Sequence, residues 1–386
     1  MRVGILKEIK NGESRVILTP SEVGELVSNG HEVVVQSEAG EMAGFTDEAY
    51  KASGGQIEKN IADVYAKADL VAKVKEVEET EYNLLKENQI VFACVHPAAN
   101  KDEVQALLDK KVIAFTAEDT HKYGSPNCEA AGKLGALMGV YHLLSINGGR
   151  GQSIFGIGGA PAGKVLVLGA GIVGKGAVDI LASLGGHTYL MDINVGVLRD
   201  AQYHFPKNVT TMISNRSNIQ TVLPEIDLII NCVKWPKHRK DHLLYKEDLK
   251  LMKKGAVIVD VSADIGGAIE TYRPTTHEEP TYFVDDILHY GVDNIPGAAP
   301  HTVSKAYAAS VFPHILSIAN NGVKEACLRD GYLRRSMCVY KGQTTHEETS
   351  VIQKRPYVSP EEVLGLTDIE NLDFAPRATQ TRVAIK

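Results

Sequence analysis

The fold of this chain is indicated most strongly by the stretch Lys164-Val-Leu-Val-Leu-Gly169-Ala-Gly171-Ile-Val-Gly174. An apolar strand pattern runs into three glycines spaced G-x-G-x-x-G, and a helical pattern follows, which is the context that a dinucleotide-binding motif requires. There the first glycine permits the tight turn, the second lets the backbone approach a pyrophosphate, and the third allows close helix–strand packing. The free N–H groups of the helix start would face the pyrophosphate. The motif therefore predicts a cofactor site formed by Gly169, Ala170, Gly171, Ile172, Val173 and Gly174.

A second predicted strand begins with residues 187–190 and ends at Asp192, eighteen residues past Gly174. A carboxylate at that strand end would accept hydrogen bonds from the ribose hydroxyls and repel a 2′-phosphate. The residues 193–195 that follow bring no arginine to bind such a phosphate. NAD is therefore the expected cofactor rather than NADP, with a helix cap as the alternative role of Asp192.

Short apolar runs alternate with helical patterns on both sides of the glycine motif. Strands that are almost continuously apolar and separated by helices indicate parallel sheets covered on both faces. We therefore expect an α/β fold with two Rossmann-like lobes. The predicted strands are 2–6, 31–36, 69–75, 90–95 and 112–117, then 164–169, 187–192, 227–233 and 256–261. The predicted helices are 21–28, 61–67, 81–87, 101–110 and 302–320, together with a longer run rich in small residues at 128–145.

Composition excludes several classes of protein. The 386 residues carry 41 Lys and Arg against 48 Asp and Glu, and the net charge of −7 disfavours general binding to nucleic acid. A hydrophobic content of 44% is enough for a sizeable core and disfavours disorder. The five cysteines are far apart and form no C-x-x-C pair, so we expect reduced thiols and no metal site. No apolar run approaches a membrane span, and we expect a cytoplasmic protein.

Ionisable residues follow three of the predicted strands. Lys75, His96 and Asp264 each lie at or just past a strand end, where ligands bind in doubly wound sheets. A lysine would neutralise a substrate carboxylate, and a histidine would move a proton near neutral pH. Arg15, in the loop after the first strand, has the planar fork that binds a carboxylate. Together these residues indicate an oxidoreductase site next to the nicotinamide.

Several sequence motifs are distinctive enough to compare with a known family. The longest is Leu6-Lys-Glu-Ile-Lys10-Asn-Gly-Glu13-Ser-Arg15-Val-Ile-Leu-Thr-Pro20. The shorter ones are Ala39-Gly-Glu-Met-Ala-Gly44-Phe45, Val74-Lys75-Glu76, Asn147-Gly-Gly-Arg150-Gly151, Arg273-Pro-Thr-Thr276 and Asp293-Asn294-Ile295-Pro296. With these motifs the sequence resembles the alanine dehydrogenase and pyridine-nucleotide transhydrogenase family. The likeness runs from Met1 to about Asn321, so it covers the whole fold.

The resemblance implies an organisation and a reaction. A substrate domain would consist of residues 1–127 plus 306–386, with an NAD-binding domain of residues 128–305 inserted and the active site in the cleft between them. The implied reaction is the reversible conversion of L-alanine, NAD⁺ and water to pyruvate, ammonium and NADH. It also implies a homo-oligomer, commonly a hexamer. The implied residues are Arg15 and Lys75 for the carboxylate, His96 and Asp264 for catalysis, Asn127 and Asn294 in the substrate pocket, and Cys232 and Val233 beside the cofactor.

Two other functions stay open at this point. Asn127 and Ile295 stand where the family usually has methionines, and the segment before His96 reads Ala93-Cys94-Val95. A more polar pocket would also suit a reductive condensation of a 2-oxo acid with an amino-acid amine, as in carboxyethyl-ornithine synthases or saccharopine dehydrogenases. The second alternative is a non-catalytic NAD(H)-binding protein, which the joint presence of the four site residues disfavours.

Overall fold

The computed structural model describes residues 1–236, 239–263 and 265–376. The described chain forms two compact units. The first unit contains Met1–Pro126 and the described residues from Ala299 onward, and the second contains Asn127–Ala298.

Each unit is built on one sheet. The strands are β1 (Arg2–Ile5), β2 (Glu32–Gln36), β3 (Gln56–Glu58), β4 (Leu70–Ala72), β5 (Ile90–Ala93), β6 (Ile113–Thr116), β7 (Lys164–Leu168), β8 (His187–Asp192), β9 (Val209–Ile213), β10 (Leu228–Asn231), β11 (Val257–Asp260), β12 (Thr281–Val284), β13 (Ile287–Tyr290), β14 (Met337–Tyr340) and β15 (Gln343–Thr344). The α-helices are α1 (Pro20–Ser28), α2 (Asp47–Ala52), α3 (Ile61–Lys67), α4 (Lys101–Asp109), α5 (Pro126–His142), α6 (Ile172–Ser183), α7 (Val195–His204), α8 (Arg216–Val222), α9 (Pro300–Arg329), α10 (Gly331–Arg335), α11 (Glu347–Gln353) and α12 (Pro360–Leu364).

The first unit has an eight-stranded sheet in the order β15-β14-β6-β5-β4-β1-β2-β3. Strands β1 to β6 pair in parallel, whereas β14 joins β6 and β15 joins β14 in antiparallel pairs. Successive side chains point to opposite faces, so β5 contributes Ile90 and Phe92 to one core and Val91 and Ala93 to the other. Because β4, β5 and β6 are parallel neighbours, their carboxyl ends meet at one edge of the sheet. The predicted catalytic residues Lys75 and His96 follow two of these strands.

The second unit has a seven-stranded sheet in the order β12-β13-β11-β10-β7-β8-β9. β12 is antiparallel to β13, and the other neighbouring strands given above for this unit pair in parallel. Helix α5 packs on this unit through glycines, because a Cβ on Gly132 would lie 1.9 Å from the Val173 carbonyl oxygen and one on Gly139 would lie 2.8 Å from Leu228 Cδ1. The small residues of the 128–145 run thus allow the backbone of α5 to approach α6 and the sheet closely.

The structure confirms the expected α/β fold and corrects several details. The sheets are mixed rather than purely parallel, since β12, β14 and β15 run antiparallel. The helix predicted at 81–87 is a 3-10 helix over Glu79–Leu84, because the Glu81 carboxylate turns inward to accept from the Glu78 N–H and from buried Lys73. The helix predicted at 302–320 extends to Arg329 across a non-helical Gly322. No helix within the described ranges is both long and apolar enough to cross a membrane.

Candidate functional site

The glycine-rich turn of the second unit has the geometry that its spacing predicts. β7 leads to Gly169, whose φ of +93° is a conformation that residues with a side chain rarely adopt, and Gly171 is the N-cap of α6. A Cβ on Gly174 would lie 1.8 Å from the Gly169 carbonyl oxygen, so this glycine is required for close packing of helix against turn. A Cβ on Gly171 would meet no atom within 4 Å. The space beside Gly171 at the helix N-terminus suits a pyrophosphate.

Asp192 lies at the end of β8 and is tied to the glycine turn. Its Oδ2 accepts a hydrogen bond from the Ala170 N–H at 2.8 Å, and its Oδ1 accepts one from the Asn194 N–H at 2.8 Å. The cap of α7 is Asn194 rather than Asp192, because the Asn194 side chain accepts from the Gly196 N–H. Asp192 is thus held next to the turn, as a residue that binds the adenosine ribose would be.

Cys232 and Val233 follow β10 on the other side of the turn. The Cys232 N–H donates to the Leu168 carbonyl at 2.8 Å, and a Cβ on Gly169 would lie 3.1 Å from Val233 Cγ2. Burial raises the pKa of the Cys232 thiol, so it stays protonated. With the open approach at Gly171 and the carboxylate of Asp192, this wall completes a set of residues that fits a dinucleotide.

Three further predicted residues belong to the second unit by sequence position. Asn127 is in the first turn of α5 and is half-buried. Asn294 is 5% exposed and precedes the 3-10 helix Ile295–Ala298, and its carbonyl accepts from His277 Nε2 at 3.0 Å. Asp264 lies outside the described residues, so its role stays a prediction from the sequence.

Lys75 lies just past β4 at the strand-end edge of the first unit. Its N–H and the Val74 N–H both donate to Oε1 of buried Glu8, with a distance of 3.3 Å for Lys75. The positive charge of the Lys75 ammonium lowers the pKa of Glu13 and of Glu76. Glu76 also forms a salt bridge of 3.1 Å with Lys10. The sheet therefore brings Lys75 close to the loop that carries Arg15.

Arg15 is almost fully buried and is paired with Glu13. The guanidinium Nε donates to Glu13 Oε1 at 2.7 Å, the Arg15 N–H donates to the same oxygen at 2.9 Å, and Nη2 donates to Oε2. Burial opposes ionisation of Glu13, but the hydrogen bond and charge of Arg15, with the charge of Lys75, hold the pKa of Glu13 below its ordinary value. This pairing fixes the plane of the guanidinium.

His96 follows β5 and is held against Glu118, which follows β6. Glu118 Oε1 accepts from the His96 backbone N–H at 2.8 Å and lies 3.1 Å from His96 Nδ1. His96 has a φ of +46°, an unusual conformation for a residue with a side chain. The Glu118 charge raises the pKa of His96, and although burial alone would raise the pKa of Glu118, the His96 charge lowers it. The His96 side chain remains 46% exposed, so it is accessible to a substrate.

A buried pair of polar groups lies on the inner side of this edge. The Cys94 Sγ and Tyr307 Oη atoms are 3.0 Å apart, and both groups interact electrostatically with Arg15. Burial raises the pKa of the Cys94 thiol well above its ordinary value, so this cysteine does not supply a thiolate nucleophile. Its contact with Tyr307 joins the residue after β5 to helix α9.

Sequence reasoning missed Glu118 and the pairing of Glu13 with Arg15. Glu118 comes two residues after the end of β6, so the rule that ligands bind at strand ends could have found it. Glu13 is part of the quoted N-terminal motif, but nothing in its spacing shows that it turns inward. No cluster of His, Cys, Asp or Glu suited to a metal ion occurs in the part of the chain that the structure describes.

Comparison with known proteins assigns the family. The model of the alanine dehydrogenase/PNT N-terminal domain matches residues 4–125, and that of the C-terminal domain matches residues 135–347. The chain belongs to the alanine dehydrogenase/PNT family. This confirms the family resemblance found in the sequence motifs.

Relatives of this family cover the chain almost completely. The chain is 36% identical over 371 residues to the alanine dehydrogenase of Mycolicibacterium smegmatis, covering 95% of this chain and 100% of the relative. It is 37% identical over 373 residues to alanine dehydrogenase 2 of Staphylococcus aureus, with the same coverage. A solved L-alanine dehydrogenase matches with a TM-score of 0.86 at 36% identity, covering 92% of this chain and 99% of that one.

Proposed function

We propose that the protein is an NAD-dependent alanine dehydrogenase, an oxidoreductase of amino-acid metabolism that acts on a CH–NH₂ donor. It converts L-alanine, NAD⁺ and water to pyruvate, ammonium and NADH, and catalyses the reverse reaction. The observation that carries this proposal is the match to alanine dehydrogenases over 95% of the chain. The arrangement of Lys75, Arg15 and His96 at one sheet edge of the first unit is consistent with it.

Arg15 and Lys75 bind the substrate carboxylate in this proposal. Glu13 holds the Arg15 guanidinium in place, so the fork does not have to be ordered when substrate binds. The Lys75 ammonium supplies the positive charge. Holding the carboxylate at these groups orients the reacting carbon, and such positioning supplies a large part of an enzymatic rate enhancement. Asn127 and Asn294 are assigned to the substrate pocket.

His96 moves the proton. In oxidative deamination the neutral imidazole takes a proton from the water that adds to the iminium carbon, and the resulting imidazolium is stabilised by Glu118. In the reverse direction the protonated imidazole returns that proton. Asp264, assigned from the sequence as a second catalytic group, would assist the same step.

The cofactor is assigned as NAD. Gly171 leaves room for a pyrophosphate at the start of α6, and Asp192 is placed for the ribose hydroxyls. Ala170, Ile172 and Val173 provide the backbone of the turn, and Cys232 and Val233 form its wall. These residues would hold NAD⁺, which would supply the acceptor for the hydride that leaves the substrate carbon. The same proposal assigns substrate binding to residues 1–127 plus 306–386 and NAD binding to residues 128–305.

The test is a substrate assay by NADH absorbance. We expect NADH oxidation with pyruvate plus ammonium and NAD⁺ reduction with L-alanine. Oxidation with pyruvate plus ornithine or lysine, and not with ammonium, would instead indicate the reductive condensation. NADH binding without turnover of any of these would indicate a non-catalytic protein. His96→Ala is expected to abolish turnover while leaving the Kd for NADH almost unchanged.

Two properties expected from the sequence stay predictions. The family resemblance implies a homo-oligomer, a hexamer in alanine dehydrogenases, and light scattering of the purified protein tests this. The cytoplasmic location is tested by cell fractionation.

A further inference from the structure

Helix α11 reaches both loops that hold the His96–Glu118 pair. His346 is its N-cap, and Gln353 is its last residue. The side chain at the first end contacts Asp119, next to Glu118, and the side chain at the last end contacts Pro97, next to His96. One short helix near the C-terminus therefore connects two loops that are more than two hundred residues earlier in the chain.

Gln353 has a fixed orientation. Its Nε2 donates to the Pro97 carbonyl at 2.6 Å, and its Oε1 accepts from Arg355 Nε at 2.7 Å. Because a guanidinium can only donate, the amide oxygen must face Arg355, which leaves the amide nitrogen to face Pro97. Arg355 Nη1 also donates to Gln105 Oε1 at 2.8 Å, which anchors the end of α11 to α4.

His346 has an equally defined role at the other end. Its Nδ1 accepts from the Thr349 N–H, so Nε2 carries the hydrogen and donates to Asp119 Oδ2 at 3.0 Å. The Asp119 carbonyl accepts from Arg335 Nε at 2.7 Å. His346 is 7% exposed, so its bond to Asp119 is shielded from water. The residue beside Glu118 is thus held through both its side chain and its backbone.

The loop at His96 needs such support. A left-handed φ of +46° at a residue with a side chain persists only where surrounding contacts over-determine it. The loop supplies some of these itself, since Asn100 Nδ2 donates to the Val95 carbonyl at 2.9 Å and the Ala99 N–H donates to the His96 carbonyl at 2.9 Å. The Pro97 carbonyl has Gln353 as its partner from outside the loop. Loss of that bond would allow His96 to move away from Glu118.

We propose that α11 is a positioning element for the His96–Glu118 pair, with Gln353 and His346 as positioning residues that act through Pro97 and Asp119. The inference rests on the proposed function in so far as His96 is the proton carrier. Neither Gln353 nor His346 contacts substrate in this proposal. They keep the imidazole where proton transfer is efficient, and a displacement of about 1 Å in such a group can cost about a hundredfold in rate.

The decisive variant is Gln353→Glu. The carboxylate keeps the bond from Arg355 but cannot donate to Pro97, and it places an oxygen against the carbonyl. His346→Gln is the second variant, for the other end of the helix, and Ile352→Ala, an exposed truncation on the same helix, is the matched control. We measure kcat with pyruvate plus ammonium, the KM for NADH, the Tm, and the pH dependence of His96 modification by diethyl pyrocarbonate followed by mass spectrometry.

The modification experiment reports on His96 without requiring turnover. The reagent attacks neutral imidazole, and the charged groups that act on His96 are Glu118, Glu76 and Lys75. In Gln353→Glu the new carboxylate is paired with Arg355, and any residual effect of its charge would move the midpoint of modification to higher pH. We expect the midpoint to move to lower pH, because separation from Glu118 removes the larger charge effect on His96, with kcat about five- to twentyfold lower and the KM for NADH unchanged. His346→Gln is expected to change both quantities in the same direction, whereas Ile352→Ala should resemble the wild type.

The outcomes separate the two proposals. If the wild type does not turn over pyruvate with ammonium, the proposed function is wrong, and the modification midpoints still decide the role of α11. An unchanged midpoint in both Gln353→Glu and His346→Gln overturns the positioning role, whether or not kcat falls. If Gln353→Glu does not fold, the midpoint of His346→Gln decides alone.

Discussion

The substitution Gly171→Ala tests whether the glycine turn binds a dinucleotide. Gly171 has a φ of −73°, which any residue adopts, and a Cβ there would meet no atom within 4 Å. The chain itself therefore gives no reason for a glycine at this position. If a pyrophosphate lies against the start of α6, the added methyl group would occupy the space that the phosphate oxygens need.

The expected loss in affinity follows from the hydrogen bonds at the helix start. A methyl group that prevents one charge-assisted bond between a backbone N–H and a phosphate oxygen costs about 2 kcal/mol. That corresponds to a Kd for NADH about thirtyfold higher. The free energy of unfolding without cofactor should change by less than about 1 kcal/mol, because two effects oppose each other. Alanine is a poorer N-cap than glycine, but it lowers the conformational entropy of the unfolded chain, which stabilises the folded state by about 0.4–1 kcal/mol.

The assay is a titration of NADH fluorescence with a thermal melt of the cofactor-free protein. Gly174→Ala is the matched control, because its Cβ would lie 1.8 Å from the Gly169 carbonyl oxygen and overlap of this kind costs about 1–3 kcal/mol or more in stability. We expect Gly174→Ala to lower the Tm and Gly171→Ala to leave it within about 3 °C. An unchanged Kd for NADH in Gly171→Ala would refute the assignment of this turn to the pyrophosphate.

Three further predictions concern charge and proton binding. In Glu118→Gln the charge that raises the pKa of His96 is gone, so the rise of kcat/KM with pH for L-alanine oxidation should occur at lower pH. If this rise occurs at the same pH as in the wild type, a group other than His96 controls it. Lys75→Met should raise the KM for pyruvate about tenfold or more, because a charge-assisted bond to the carboxylate is lost, and it should leave the Kd for NADH unchanged. An equal rise in the KM for pyruvate and the Kd for NADH would contradict the role of Lys75 in binding the substrate carboxylate. Burial lowers the pKa of His289 from 6.5 to about 4, so the unfolded state binds more protons and stability falls as the pH drops through that interval. The free energy of unfolding should fall by about 3 kcal/mol over that interval. Calorimetry should therefore find that the Tm depends less on pH in His289→Gln than in the wild type. Identical Tm curves for the two proteins would show that His289 is not the cause.

The sequence predicts the centres of buried strands well and the edges of the sheets poorly. β7 and β11 lie within one residue of their predicted bounds, because a buried parallel strand is almost continuously apolar. β14 and β15 lie outside the predicted strands because they are only four and two residues long. β14 pairs with β6, which is more than two hundred residues away, and no local pattern encodes that pairing.

The same distinction applies to the candidate site. Gly169, Gly174 and Asp192 lie where the spacing predicts, because one local strand–turn–helix–strand unit, from β7 to β8, contains all three. Lys75 and His96 could be found from strand ends. The partners that orient these groups could not, since Glu118 and Gln353 reach His96 and its neighbour Pro97 only through tertiary packing.

The ion pairs at the edge of the first unit distinguish the two cations that we propose for the substrate carboxylate. Arg15 already pairs with Glu13, Lys10 pairs with Glu76, and His96 pairs with Glu118. Among the residues that the structure describes, the Lys75 ammonium forms no ion pair of its own, although it lies near Glu13 and Glu76. An anionic substrate is attracted by uncompensated charge, whereas a paired guanidinium contributes mainly directed hydrogen bonds. Lys75 should therefore determine how strongly the carboxylate binds, and Arg15 should determine how it is oriented.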